Sequence, residues 1–182
     1  SSINSPLRFW IFDKKKEVEK YQKVGISSSD KANKLFGIGM AAGYTDDNGV
    51  VHQIGTVENY GTIKVEKDNG IGMYATGRGS KAINRGNIEL SGKNTTGMYL
   101  DNNAIGENYG TIKTVPNPTN DGIIGVVALN GAVIKNYGTI EIKDGTNLNG
   151  VYLAKGQYDK ASTGTVVGGI KEKKQSDTSK KV

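Results

Sequence analysis

Asn59-Tyr60-Gly61-Thr62-Ile63 returns as Asn108-Tyr109-Gly110-Thr111-Ile112 and again as Asn136-Tyr137-Gly138-Thr139-Ile140. A variant, Asn84-Arg85-Gly86-Asn87-Ile88, stands between the first two, so the asparagines lie 25, 24 and 28 residues apart. A second motif follows each copy at similar phase: Gly72-Met73-Tyr74, Gly97-Met98-Tyr99, Gly125-Val126-Val127 and Gly150-Val151-Tyr152. Between the two motifs sit the apolar couplets Ala82-Ile83, Ala104-Ile105 and Val133-Ile134. Each unit thus holds three short apolar segments, punctuated by Asn-Gly, Asp-Gly and Ser-Gly turns. Self-similarity at such a period marks a repeat architecture.

The segments alternate rather than follow a 3.6-residue period. Ile63 and Val65 share one parity, while Thr62, Lys64 and Glu66 share the other; Ile88 with Leu90 and Ile140 with Ile142 repeat this. Period-2 alternation is the mark of a half-buried strand. A chain that makes three such strands and returns to phase forms one turn of a parallel β-solenoid, its turns stacked at about 4.8 Å. The sequence therefore predicts an all-β fold, a right-handed parallel β-helix of about four to five turns, since parallel crossovers are nearly always right-handed.

Stacking assigns jobs to the repeated residues. Ile63, Ile88, Ile112 and Ile140 form an internal ladder, each fully buried Ile stabilising by about 1.5–3 kcal/mol. Asn59, Asn84, Asn108 and Asn136 form a second ladder whose amides bond from turn to turn. The glycine two places after each Asn is expected to permit a backbone bend closed to other residues. Outside, Lys64, Glu89, Lys113 and Glu141 alternate in sign along the rod, a pattern that favours one register.

The ends depart from the repeat. Gly39-Met40 begins an early copy of the second motif, and the excess spacing from Gly39 to Asn59 holds Thr45-Asp46-Asp47-Asn48-Gly49, a protruding loop. We assign 1–36 as an irregular N-terminal cap, with Phe9-Trp10-Ile11-Phe12 as a strand and 13–24 at helix-like spacing, because solenoid ends need cover. Residues 37–170 are the β-helix repeats, 161–170 forming a last irregular strand. Residues 171–182 are a Lys-rich tail, disordered or a truncated turn.

Composition narrows the function. The 182 residues include 26 Gly, 17 Asn and no Cys, with a net charge of +6. Without cysteine there are no disulfides or thiolate metal sites. No apolar run reaches the roughly 20 residues of a membrane helix. The positive charge sits at the ends: 13–34 and 171–182 are each +3, while 59–153 carry nine bases against eight acids. With only Arg8, Arg78 and Arg85 as arginines, a nucleic-acid partner is not expected.

Catalytic and metal chemistry find few residues. His52 is the single histidine and falls in the predicted loop. No Gly-x-Ser-x-Gly elbow is present. Asp46-Asp47-Asn48-Gly49 lacks the alternate ligands and terminal Glu of an EF-hand and reads as a turn. Gly70-Ile71-Gly72 and Gly77-Arg78-Gly79 open no helix, so they are not phosphate cradles. Asp101, Asp121 and Asp144 fall in turns of different units and not in the paired arrangement a glycosidase needs. We expect no enzyme activity, no cofactor and no metal. Two aromatic rows are candidates for contact. Tyr74, Tyr99 and Tyr152 form one, interrupted by Val127; Tyr60, Tyr109 and Tyr137 form the other, interrupted by Arg85. We take Tyr74, Tyr99 and Tyr152 as the partner-binding candidates, since they point outward if Met73 and Leu100 point inward.

Asn-Tyr-Gly-Thr-Ile units alternating with Gly-Met-Tyr or Gly-Val-Tyr, well matched over 59–153 and loosely over 37–58, resemble the passenger repeats of large fusobacterial autotransporter (type Va secretion) adhesins, the RadD-like proteins. The resemblance implies a right-handed β-helix at the cell surface or outer membrane of a Gram-negative bacterium, exposed as a passenger or secreted. It implies a segment of an adhesin passenger that mediates or supports attachment to host cells or other bacteria. Its partner would be a surface protein or glycan, and its membrane anchor a C-terminal β-barrel. That barrel and a signal peptide are not in this sequence, so a passenger segment is expected. The alternative is a carbohydrate-active β-helix protein that binds or cleaves polysaccharide. An ice-binding face built on Thr62, Thr111 and Thr139 is a third possibility, broken by Asn87.

Overall fold

A computed structural model describes residues 37–174, and the expected cap, with its strand over 9–12 and helix over 13–24, lies outside them. Every regular element among the described residues is a strand. Three parallel sheets form the walls of a β-solenoid. The first sheet stacks Ile38–Ala42 (β1), Ile71–Thr76 (β6), Thr96–Asp101 (β9), Ile124–Leu129 (β12), Asn149–Ala154 (β15) and Ile170–Glu172 (β18). In the second are Thr56–Asn59 (β4), Lys81–Asn84 (β7), Ile105–Asn108 (β10), Val133–Asn136 (β13) and Gln157–Tyr158 (β16). The third holds Thr62–Val65 (β5), Asn87–Leu90 (β8), Thr111–Thr114 (β11), Thr139–Glu141 (β14) and Thr165–Val167 (β17). β18 carries the coil two residues into the segment expected as tail.

The ladders form as the repeat dictates. Ile63, Ile88, Ile112 and Ile140 pair in register, and Val166 continues the row. Ile88, Ile112 and Ile140 are fully buried. Ile63 is half-buried because β5 is the edge strand of its sheet. On the facing wall Met73, Met98, Val126 and Val151 stack inward, with Ala75, Leu100, Ala128 and Leu153 beside them. Large and small residues compensate across the interior. A Cβ added to Gly106 would meet the Leu100 and Met98 side chains at 2.5 Å. Where the first sheet offers the smaller Val126 and Ala128, the second supplies the larger Ile134, as close packing requires.

Asn59, Asn84, Asn108 and Asn136 occupy the buried side of the corner between the second and third sheets. Each Nδ2 donates to the Oδ1 of the next Asn: 2.9 Å from Asn59 to Asn84, 2.9 Å from Asn84 to Asn108 and 3.0 Å from Asn108 to Asn136. The same amides donate to the carbonyls of Asn87, Thr111, Thr139 and Thr165, tying the strand after each corner to the turn before it. The row ends on the Tyr158 hydroxyl, which accepts from Asn136 at 3.3 Å.

One expectation needs correction. The glycines of the Asn-x-Gly motif do not adopt left-handed backbone. Gly86, Gly110 and Gly138 are needed because the turns approach too closely for a side chain, while Gly61, in the first turn, has open space around it. A Cβ on Gly86 would strike the carbonyl oxygen of Gly61, one on Gly110 that of Gly86, and one on Gly138 that of Gly110. The left-handed positions fall instead mainly on other corners, at Asn69, Asn94, Asn102, Asn103 and Asn130 among others. The apolar couplets hold different places in the register. Register is counted from the asparagine, so Ala82 stacks on Gly106 and Ile134 inside, while Ala104 sits at the corner before β10. Lys64, Glu89, Lys113 and Glu141 pair in register as the alternation implies, without closing ion pairs between them. Glu141 reaches Lys143 instead, at 3.6 Å.

The predicted loop is a hairpin of Tyr44–Thr45 (β2) and Val51–Gln53 (β3), antiparallel and outside the coil. The Asp46 carboxylate accepts from the backbone N–H of Asn48 and Val50, both at 2.9 Å, and so closes the turn from inside. His52 Nε2 meets the same carboxylate at 2.7 Å and holds the Asp46 pKa below its ordinary value.

Candidate functional site

The residue after each corner asparagine is turned outward. Backbone bonds of 2.8 Å, from Arg85 N to Asn59 O, Tyr109 N to Asn84 O and Tyr137 N to Asn108 O, stack these residues into one row. Tyr60, Tyr109 and Tyr137 are exposed by 67%, 43% and 37%, and among the described residues no other tyrosine stands out so far. The Tyr109 and Tyr137 rings stack with centroids 5.2 Å apart, and the Arg85 guanidinium lies 4.7 Å over the Tyr109 ring. Carboxylates fix the row from the side. Glu58 Oε2 takes a hydrogen bond from Arg85 Nε at 3.1 Å. Glu107 accepts from the Tyr109 hydroxyl at 2.9 Å and pairs with Lys81 Nζ at 3.2 Å. The bond to Glu107 raises the Tyr109 pKa, since ionising the phenol would place two negative charges together.

Beyond the motif glycine runs a parallel row of hydroxyls and an amide: Thr62, Asn87, Thr111, Thr139 and Thr165 in successive turns. An aromatic row and a polar row thus flank a line of bare glycines along one corner of the rod. The motif Asn-Tyr-Gly-Thr already carried this signal. Sequence reasoning treated the tyrosines and threonines separately and missed their juxtaposition.

Tyr74 and Tyr99, taken from sequence as contact residues, are brought together in register with rings 5.7 Å apart. They point away from the interior, as Met73 and Leu100 point in, but the face they occupy is largely covered. In the same row Ala41 and Val127 are buried and Tyr74, Tyr99 and Tyr152 half-buried. Burial, aided by the nearby Asp101 carboxylate, raises the pKa of both Tyr74 and Tyr99. Tyr152 is separated from the pair by Val127.

The acidic residues weighed for catalysis serve corners. Asp101 accepts from Asn102 N and, one turn on, from Asn130 Nδ2 at 3.0 Å. Asp121 accepts from Asn147 Nδ2 at 2.9 Å, a bond that lowers its pKa, and Asp144 takes left-handed backbone. Among the described residues no three His, Asp or Glu converge as a metal site. Gly77 and Gly79, both left-handed, lie against Val51 of the hairpin and Ile54 just beyond it.

The family model of the BigA third pectate lyase-like domain matches residues 11–110, more than half of the chain. The chain belongs to this family. Members of the BigA third-domain family are β-helix domains of a bacterial surface protein, which agrees with the stacked parallel sheets. The match reaches upstream of β1 and ends on Gly110, the last residue of the third Asn-x-Gly copy. No curated protein and no solved structure matches the chain.

Proposed function

We propose that this chain is a segment of a cell-surface adhesin passenger, mediating or supporting attachment to host cells or other bacteria. The observation that carries the reading is the exposed Tyr60–Arg85–Tyr109–Tyr137 row, held at one corner of a coil in a bacterial surface-protein family. Tyrosine and arginine side chains preset by neighbouring turns lose little freedom on contact, which favours their use at interfaces. The likeness of the repeats to RadD-like passengers supports an autotransporter setting, with the outer-membrane barrel in another part of the protein. On this reading the partner is a surface protein or glycan, the segment needs no cofactor, and it does not turn over its ligand.

Purified, fluorescently labelled protein is expected to bind epithelial cells or partner bacteria saturably and to be displaced by unlabelled protein. Linear, non-displaceable uptake on every surface tried would reduce the segment to a spacer. The family's pectate lyase-like character gives the second reading a specific test. Release of unsaturated products from acidic polysaccharide, with or without calcium, would replace attachment by catalysis.

A further inference from the structure

The corner between the second and third sheets combines three features that the attachment reading leaves undifferentiated. The Tyr60, Tyr109 and Tyr137 rings, with the Arg85 guanidinium among them, give a wall of largely apolar ring edges. Next to it the glycine row carries no side chains, and at Gly86, Gly110 and Gly138 cannot acquire any, because a Cβ there would run into the carbonyl of the preceding turn. Beyond it the hydroxyls of Thr62, Thr111 and Thr139 and the amide of Asn87 make no side-chain hydrogen bond among the described residues. The strip repeats at every strand spacing, about 4.8 Å, and runs roughly 14 Å from Tyr60 to Tyr137. A ligand that uses each rung equally is itself a linear repeat lying along the rod.

Charge selects among linear polymers. Arg85 is paired with Glu58, Lys81 with Glu107, and the row beyond the threonines alternates from Lys64 to Glu141. Among the described residues no uncompensated line of cations flanks the strip to hold a polyanion. An extended peptide fares no better, since strands β8, β11 and β14 are each paired on both sides and offer no free backbone edge. Free hydroxyls and an amide beside aromatic rings suit a ligand that is polar at its edges and apolar on its faces. We propose that the strip between the Tyr60–Tyr109–Tyr137 and Thr62–Thr111–Thr139 rows binds an uncharged linear glycan, about one sugar unit to each rung. This deepens the attachment reading and rests on it for its biological use, but not for its test.

The test is calorimetric titration of the protein with neutral β-linked glucose and N-acetylglucosamine oligomers of increasing length, beside an array of neutral linear glycans. Affinity is expected to rise with length and level off near four units, the number of rungs from Tyr60 to Tyr137. Tyr109→Ala is expected to weaken binding by about tenfold or more. Thr111→Arg, which obstructs the glycine line, should weaken it similarly, while Tyr152→Ala on another face leaves it unchanged. Thermal melts of each variant separate lost binding from lost folding. Salt-sensitive preference for sulfated or carboxylated polymers would overturn the neutral class. Equal affinity of Tyr109→Ala and wild type would overturn the site. Attachment to cells with no binding across the neutral glycans would overturn this proposal and leave the adhesin reading standing.

Discussion

Ile88→Asp is expected to unfold the coil around its own turn and to lower the denaturation midpoint more than any surface change. Ile88 is fully buried in the middle of the isoleucine ladder, between Ile63 and Ile112. Its replacement loses about 1.5–3 kcal/mol of apolar burial. It also places a carboxylate where nothing can pair with it, at a cost of several kcal/mol more. The sum rivals the roughly 5–15 kcal/mol that holds a whole domain together. Turns of a solenoid stabilise one another across their interfaces, so the loss spreads to both neighbours. Circular dichroism during urea titration reads the effect, and Lys64→Asp, at an exposed position, is the control expected to stay within about 0.5 kcal/mol of wild type. An Ile88→Asp protein as stable as wild type would mean that the assignment of interior and exterior faces is wrong.

Asn108→Asp is the second large effect, and it carries a pH signature. The two side chains have nearly the same shape, but the aspartate has no N–H. An oxygen then faces the Asn136 Oδ1, now 3.0 Å from Nδ2, and the carbonyls of Gly110 and Thr139 at 3.3 and 3.2 Å. A donor becomes an acceptor among acceptors, and a charge is buried at a site with no exposure. The cost at neutral pH is about 2–5 kcal/mol. Protonation returns one donor, so the folded state raises the pKa of the introduced carboxyl above its unfolded value of about 3.9. The folded variant then holds more protons than the unfolded chain, and its stability falls as pH rises from the unfolded pKa through the raised folded one. The deficit against wild type, measured by urea melts, is therefore expected to be smallest near pH 4 and largest at neutral pH. A deficit independent of pH would show that the ladder amides do not donate as assigned.

The rows that repeat at constant distance from the asparagine were legible from sequence alone: the isoleucine, asparagine, glycine and alternating-charge rows all appear where the period places them. Legibility failed where a residue had to be counted without that anchor. Ala104-Ile105 looks like Ala82-Ile83 yet stands two places earlier relative to its asparagine, so it builds a corner and an outer position instead. The motif glycines were placed correctly but for the wrong cause, because sequence reveals small size without showing whether backbone torsion or a neighbouring turn demands it. Exposure was the hardest to read. Alternation says that Tyr74, Tyr99 and Tyr152 point outward, but not that this outer face is covered. The nearby hairpin is tied to that sheet by the Thr45–Thr76 hydroxyl contact of 2.7 Å, a link between residues 31 positions apart that no local pattern announces.

We propose that attachment uses the corner row and not the half-buried one. The most direct test compares cell binding by two folded double variants, Tyr60→Ala/Tyr109→Ala and Tyr74→Ala/Tyr99→Ala, against wild-type protein at equal concentration. The account predicts that the first loses about tenfold or more in affinity while the second binds as wild type does. Full binding by the first, with loss confined to the second, would contradict it.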